Sequence, residues 1–149
     1  TRLASGASGV AQGELFVWDL QRALRLQSFT EHLSVVTSVT WDFSGECLIS
    51  GDGHGTLCWW NVQSGERLRS SLAHNGAIQS LRRSPDGLKL ASCGDDGAIM
   101  LWDITSGEHL QTLRRDRPYE RLDITAIKGL SEAQKETLYA LGAVDDTRI

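Results

Sequence analysis

Three side chains of this 149-residue chain have the types that nucleophilic catalysis uses: His74, Ser92 and Asp96. A serine hydroxyl attacks when a base takes its proton, and an imidazole oriented by a carboxylate is a common base. The same types recur 42 residues upstream as His32 and Ser50, with His54 standing where the aspartate would be. Trp60 and Trp102 follow the two serines at the same distance. An active site has no reason to return at a fixed step, whereas a network that holds a fold together has. Recurrence therefore points away from catalysis, and no catalytic residue is expected. A buried indole N–H, hydroxyl and imidazole must each find partners, and a carboxylate can anchor such a chain of bonds.

Other chemical signals are weak. Gly51-Asp52-Gly53-His54-Gly55 is glycine-rich but leads into an apolar strand-like run, so the helix N-terminus that cradles phosphate would be missing. His32 and His74 are repeat equivalents, and His109 aligns with Arg25 and Arg67, which suggests structural or solvated histidines and no metal. Cys47, Cys58 and Cys93 are an odd number without C-x-x-C spacing, so neither a disulfide framework nor a zinc site is expected, and a reducing cytoplasm fits. Formal charge is −4, and the basic cluster Arg114, Arg115, Arg117, Arg121 is interrupted by Asp116 and Glu120. Nucleic-acid binding is not expected. No apolar run approaches the length that spans a bilayer, and no signal-peptide pattern is visible.

The elements that must position these residues come from the repeat. Trp18, Trp60 and Trp102 are spaced by 42 residues, each followed by Asp19, Asn61 or Asp103 and preceded at five residues by Gly13, Gly55 or Gly97. Ser64-Gly65-Glu66 returns as Ser106-Gly107-Glu108, and Gly45 as Gly87. Leu15–Trp18, Leu57–Trp60 and Ile99–Trp102 are short apolar runs, which suit strands buried on both faces. The β-branched stretch from Val35 to Thr40 predicts another strand, and Ser44-Gly45 and Pro85-Asp86-Gly87 predict turns. Loose alternation in 67–72 and 109–113 suggests outer strands with one wet side. Four strands per unit emerge, with no helix inside the repeat.

With the Leu90-Ala91-Ser92-Cys93-Gly94-Asp95-Asp96-Gly97 stretch leading into Ile99–Asp103, the sequence resembles the WD-repeat family over about residues 2 to 115. That resemblance implies an all-β partial β-propeller of four-stranded antiparallel blades. Its units would be a truncated blade at 1–29, whole blades at 30–72 and 73–115, and a tail at 116–149. It also implies that His74, Ser92, Asp96 and Trp102, and likewise His32, Ser50 and Trp60, form the hydrogen-bond network of a blade. With His54 in the acid's place, the second unit is expected to be the looser of the two. The first unit departs from the pattern, because Leu3-Ala4-Ser5-Gly6 lies three residues further from Trp18 than its counterparts do. Glu31 precedes His32 and Ala73 precedes His74 where the family has glycine, and Arg83 replaces the aromatic found at Trp41.

The tail is expected to hold one short strand within 122–127. Ser131-Glu132-Ala133-Gln134 is a capping box opening a helix of about 131–141. Leu130, Leu138 and Leu141 would share its face, and Gly142 is a natural stop. The tail resembles that of bacterial, cyanobacterial-type WD-repeat proteins, in which the propeller often follows a signalling ATPase domain. Since Arg2-Leu3-Ala4-Ser5 reads as the middle of a unit, upstream material is expected. The implied function is protein–protein recognition as a scaffold or sensing module of a larger signalling protein, without a cofactor. The alternatives are a propeller-type hydrolase or metal-dependent enzyme, and a structural repeat that self-assembles through open blade edges. The face expected to meet a partner comprises Glu31, Leu33, Ser34, Asp52, Asn75 and Asp95, with Trp41 and Arg83.

Overall fold

A computed structural model describes residues 1–8, 13–114, 119, 122–125 and 127–145. The chain forms two compact units, Thr1–Leu113 and Arg114–Ile149. The first holds three antiparallel sheets. Strands β1 (Arg2–Ser8), β2 (Gly13–Asp19) and β3 (Leu24–His32) make a three-stranded sheet. Strands β4 (Val36–Trp41), β5 (Cys47–Asp52), β6 (Thr56–Asn61) and β7 (Arg67–Leu72) make the second, paired in chain order. Strands β8 (Ile78–Arg83), β9 (Lys89–Gly94), β10 (Ala98–Asp103) and β11 (His109–Arg114) make the third in the same order. These are the antiparallel meanders of a partial β-propeller, all-β in its repeat.

Local chemistry explains each meander. The residue after each repeat tryptophan closes a tight turn with its side chain. Asp19 Oδ1 accepts from the amides of Gln21 and Arg22, Asn61 Oδ1 from those of Gln63 and Ser64, and Asp103 Oδ1 from that of Ser106. A short acceptor that bonds backbone two or three residues on is what an Asx turn needs, so Asp and Asn serve equally. Registers repeat with the sequence: Leu3 faces Trp18, Leu48 faces Trp60 and Leu90 faces Trp102 across neighbouring strands. The longer first hairpin pairs Ser8 with Gly13, and the inserted residues of that connection lie outside the described ones.

The core lies between sheets. Leu15 and Val17 of the first sheet pack with Val36, Leu48, Cys58 and Trp60 of the second. Ile49, Leu57 and Trp59 of the second pack with Ile78, Leu81, Leu90 and Trp102 of the third. The middle strands of the second sheet, β5 and β6, are therefore covered on both sides, as the continuous apolar run of β6 requires, while β7 and β11 remain exposed along almost all their length. The inner strands also bond to each other. Thr37 Oγ1 donates to the Ile78 carbonyl, and the Leu81 amide donates to Ser38 Oγ at 3.0 Å.

One glycine position sets how closely the sheets approach. A Cβ on Gly6 would lie 2.7 Å from Val36 Cγ1, and one on Gly51 would lie 2.7 Å from Ile78 Cγ2. The first side chain of each inner strand thus rests on the bare backbone of the preceding sheet. In the third sheet the equivalent position, next after Ser92, is Cys93.

In the second unit α1 spans Glu132–Ala140, with Ser131 as N-cap and Leu141 as C-cap. The capping box is reciprocal: Ser131 Oγ accepts from the Gln134 amide, and Gln134 Oε1 accepts from the Ser131 amide. Among the described residues of 122–127 no extended strand is formed, and residue 126 lies outside them. Asp123 and Val144 make an isolated parallel bridge, in which the Ile124 amide donates to the Val144 carbonyl at 2.9 Å and the Val144 amide to the Leu122 carbonyl at 2.8 Å. Asp123 Oδ1 accepts from the Thr125 amide at 2.9 Å, which turns the chain before a strand can extend.

Gly51→Val is expected to lower the unfolding free energy by about 1–3 kcal/mol, the usual cost of forcing extra methyls into a packed contact. Urea denaturation followed by circular dichroism measures it, and an unchanged midpoint would show that the sheets can part without loss.

Candidate functional site

The polar residues singled out by spacing converge between sheets. His32 is the last residue of β3, so its backbone belongs to the first sheet, opposite Gly13. Its side chain crosses to the second. Trp60 Nε1 donates to Ser50 Oγ at 2.7 Å, and Ser50 Oγ lies 2.6 Å from His32 Nε2. His32 Nδ1 lies 3.1 Å from Asp52 Oδ2. Since the indole can only donate and the carboxylate only accept, the serine hydroxyl donates to Nε2 and Nδ1 carries the proton. The relay ends at Asp52 Oδ1, which accepts from the amides of His54 and Thr56 at 3.0 and 2.8 Å.

The third sheet repeats the arrangement. Trp102 Nε1 donates to Ser92 Oγ at 3.0 Å, Ser92 Oγ lies 2.8 Å from His74 Nε2, and His74 Nδ1 lies 2.9 Å from Asp96 Oδ1. Asp96 also accepts from the amides of Ala98 and Asn75. The first sheet shows the inner half of the same chain, Trp18 Nε1 donating to Ser5 Oγ at 2.9 Å.

The connectivity of each relay is that of a serine nucleophile, its histidine base and an orienting carboxylate. Burial forbids the chemistry. Ser50 is 0% and Ser92 1% exposed, with His32 and His74 at 1% and 2%. Each serine oxygen is already held by an indole N–H on one side and an imidazole on the other, so no carbonyl carbon can reach it. Among the described residues no group of three His, Cys, Asp or Glu side chains is placed to hold a metal ion.

Two expectations change at this point. Asp52, expected on the contact face, is 2% exposed and is the carboxylate of the second relay. His54, expected in the acid's place, is exposed at that position and contributes only its backbone amide. The acid has moved two residues toward the strand, to the place held by Gly94 in the third sheet. There a Cβ would lie 2.6 Å from His74 Cγ, so a side chain at that place points straight at the imidazole. The ground for expecting a looser second unit is thereby removed, since that unit has a relay carboxylate of its own. Its acid is almost fully buried, whereas the side chain of Asp96 retains 9% exposure.

Both carboxylates titrate below the ordinary range. Burial alone would raise Asp52, but the bonds from His32 and from the Thr56 and His54 amides outweigh it. Asp96 follows the same balance, with burial opposed by His74, Ala98 and Asn75. The thiols go the other way. Burial pushes Cys58 up to about 12 and Cys47 up to about 11, which keeps both protonated and unreactive near neutrality. Trp59, the neighbour of the relay tryptophan, is 1% exposed and packs edge-on at 6.3 Å from Trp102. Its Nε1 is a buried side-chain donor without a partner among the described residues.

The residues expected on one contact face divide between two. Antiparallel pairing puts Val36, Asp52 and Thr56 at one end of the second sheet and Trp41, Cys47 and Asn61 at the other. Glu31, Leu33, Ser34, Asn75 and Asp95 lie with the first, upper end. Trp41 and Arg83 lie at the lower end, separated by a strand of six residues, or roughly 17 Å. Trp41 is half-buried against the core between the first two sheets. Arg83 is exposed, and its guanidinium covers the ring of Phe43 at 5.4 Å. Phe43, not singled out from the sequence, is 75% exposed. Its position in the 42–45 turn was the only available signal.

Asp52→Ala is expected to destabilise the chain by about 2–4 kcal/mol, and Asp96→Ala by about 1–3 kcal/mol, the range for stranding buried partners of a charged acceptor. Because both folded pKa values are depressed, their contribution is complete above pH about 4. It fades as pH falls through the folded values. Asp52→Asn should therefore show a shallower acid loss of stability than the parent, measured by urea midpoints between neutral pH and pH 3. A fluorophosphonate probe should label neither Ser50 nor Ser92; stoichiometric labelling of either, read by mass spectrometry, would restore the hydrolase reading.

The family profile described as "WD domain, G-beta repeat" matches residues 24–61 and 65–103, more than half of the chain. No curated protein matches. Among solved structures, a chain of "Crystal Structure of Mitotic Checkpoint Complex" is similar over 75% of this chain, with a TM-score of 0.67 and 24% identity. At that identity the likeness shows the fold alone. The matched region is 34% of the solved chain, so this chain spans about a third of its length. The repeat step, the three stacked sheets, the recurring relay and the profile match agree, and the chain belongs to the WD-repeat family.

Proposed function

We propose that this chain is a protein-interaction module that meets its partner through the upper-end loops beside the two relays. The WD-repeat fold is typical of protein-interaction scaffolds. The observation that carries the reading is the 76% exposure of Leu33, in a loop fixed on both sides. His32 is locked in the relay before it, and the Gly53 amide holds the Val35 carbonyl after it at 2.9 Å. An apolar side chain held outward at little further entropic cost is what a recognition surface needs.

Neighbouring loops are held in the same way. Asp95 accepts from Gln79 Nε2 and the Ala77 amide, and the Asn75 amide is bound to Asp96. Glu31 is paired with Arg67 at 3.2 Å. The surface offered is thus a leucine flanked by Glu31, Ser34, Asn75 and Asp95, which suits a partner with an apolar contact and basic or amide groups around it.

The tail resemblance supports placing this module in a bacterial multidomain signalling protein, as its sensing or scaffold part. The three unpaired cysteines support a reducing cytoplasm. No described helix is long and apolar enough to cross a membrane.

Affinity capture from a cell extract with the parent chain, Leu33→Glu and Phe43→Glu tests the face. Proteins held by the parent should bind at least about tenfold more weakly to Leu33→Glu, as for an interface anchor, and unchanged to Phe43→Glu. Equal retention by all three would remove the upper loops as the contact surface.

A further inference from the structure

The two upper-end loops are attached in one way, and the attachment leads back to the relays. Residues 33–35 join β3 to β4, and residues 75–77 lie between His74 and β8. Each loop starts at a relay histidine, whose Nδ1 lies 3.1 Å from Asp52 Oδ2 in one case and 2.9 Å from Asp96 Oδ1 in the other. Each ends on a backbone bond from the facing turn. The Gly53 amide donates to the Val35 carbonyl at 2.9 Å, and the Asp95 amide to the Ala77 carbonyl at 3.0 Å. Residues 53 and 95 are repeat equivalents, and the acids flank them on opposite sides: Asp52 stands just before residue 53, Asp96 just after residue 95. Either way, the carboxylate that holds the histidine is one residue from the amide that holds the far end of the loop. Asp96 also accepts from the Asn75 amide, the first of its loop.

Close approach leaves the loops little room. A Cβ on Gly13 would lie 1.9 Å from the Ser34 carbonyl oxygen, and one on its equivalent Gly55 would lie 2.6 Å from the Gly76 carbonyl oxygen. The loops are thus seated on bare backbone and tied at both ends, so they swing outward only when a tie breaks. The tie at the histidine is set from within. Ser50 and Ser92, 0% and 1% exposed, hold Nε2 of His32 and His74 from the side away from the acid. An imidazole fixed at both nitrogens fixes where the loop backbone begins, and Leu33 follows His32 directly.

We propose that the relays are the clamps of the recognition surface: Ser50 and Asp52 hold the 33–35 loop, and Ser92 and Asp96 the 75–77 loop, in the form that meets a partner. All four are positioning residues, because they act through His32, His74 and the loop backbone. The inference rests on the upper-end recognition surface and adds what controls it. A loop ordered before binding loses little freedom on binding, so a broken clamp weakens recognition without altering any contact residue. The two clamps share no member, and each loop therefore loosens by itself.

Amide hydrogen exchange of the full chain, read residue by residue by NMR, tests the clamp without a partner. Ser50→Ala leaves the turn bonds of Asp52 in place and cuts the imidazole from behind. The Gly53 amide should then exchange at least about tenfold faster, while the Asp95 amide and the paired amides of β9 and β10 keep the parent rates. Asp52→Gly should also speed Gly53. Adding His54→Asp to it rebuilds the third-sheet arrangement, with glycine and aspartate at the places of Gly94 and Asp96, and should restore slow exchange. Extract proteins held by the parent and lost by Leu33→Glu should be retained at least about fivefold less by Ser50→Ala, and normally by the rebuilt double variant. An unchanged Gly53 rate in both single variants would overturn the clamp, as would equal acceleration of every amide in β5 and β6 or failure of the double variant to rescue. A faster Gly53 with undiminished capture would overturn the positioning role and leave the recognition surface standing. Capture indifferent to Leu33→Glu would remove that surface and the positioning role with it, whatever the exchange rates.

Discussion

Everything in the repeat depends on a constraint that the tryptophan imposes. Its indole N–H must be buried with the ring, and a buried donor without an acceptor costs about 1–3 kcal/mol. Serine supplies the acceptor, but the hydroxyl then has a proton of its own to place, and the histidine takes it. The imidazole in turn has a second N–H, and the carboxylate takes that. The carboxylate is stabilised by turn amides at the surface end of the strand. Each step is forced by the one before, and the chain of obligation ends only where backbone N–H groups are free to donate. Trp59 shows the contrast: it is equally buried, sits outside this chain and has no acceptor among the described residues.

The relay also explains why the sheets stay together. His32 enters from the outgoing strand of one sheet and bonds to the serine and the acid of the next, with its ring 5.4 Å from that of Trp60. Apolar burial between sheets is non-directional and would tolerate sliding. A histidine fixed at both nitrogens does not. Glycine at positions 6 and 51 lets the backbones approach far enough for the imidazole to span the gap.

Much of this was legible in the sequence because the 42-residue step aligns positions without any knowledge of shape. Strands, turns and the relay members His74, Ser92, Asp96 and Trp102 follow from it, while the capping box of α1 follows from the Ser131-Glu132-Ala133-Gln134 motif outside the repeat. The step misled at one point for a physical reason. Counting back from Trp60 selects position 54, but hydrogen bonding depends on reach, and Asp52 reaches His32 from a place two residues earlier. Asking which carboxylate in the 51–55 loop could serve a buried imidazole would have found it, since Asp52 is the only one there. Trp41 and Arg83 were grouped with the histidine loops because the step records equivalence and not direction. The length and antiparallel sense of β4 and β8 place them at the opposite end. The expected tail strand gave way to an Asx turn at Asp123, whose side-chain bond competes with extension over a few residues.

The position of His32 on β3 has a consequence for how such arrays grow by duplication. The profile match runs from β3 to β6, so the sequence unit is offset from the sheet. Wherever a segment of one period is copied, the copy brings one histidine, one serine, one acid and one tryptophan. Internal junctions are then born with every member of the relay matched, and stability accumulates through nearest-neighbour contacts. The different places of the acid, Asp96 in one relay and Asp52 in the other, show the same independence. Each copy can rewire its own relay without disturbing the next, so repeats diverge one at a time while the stack survives.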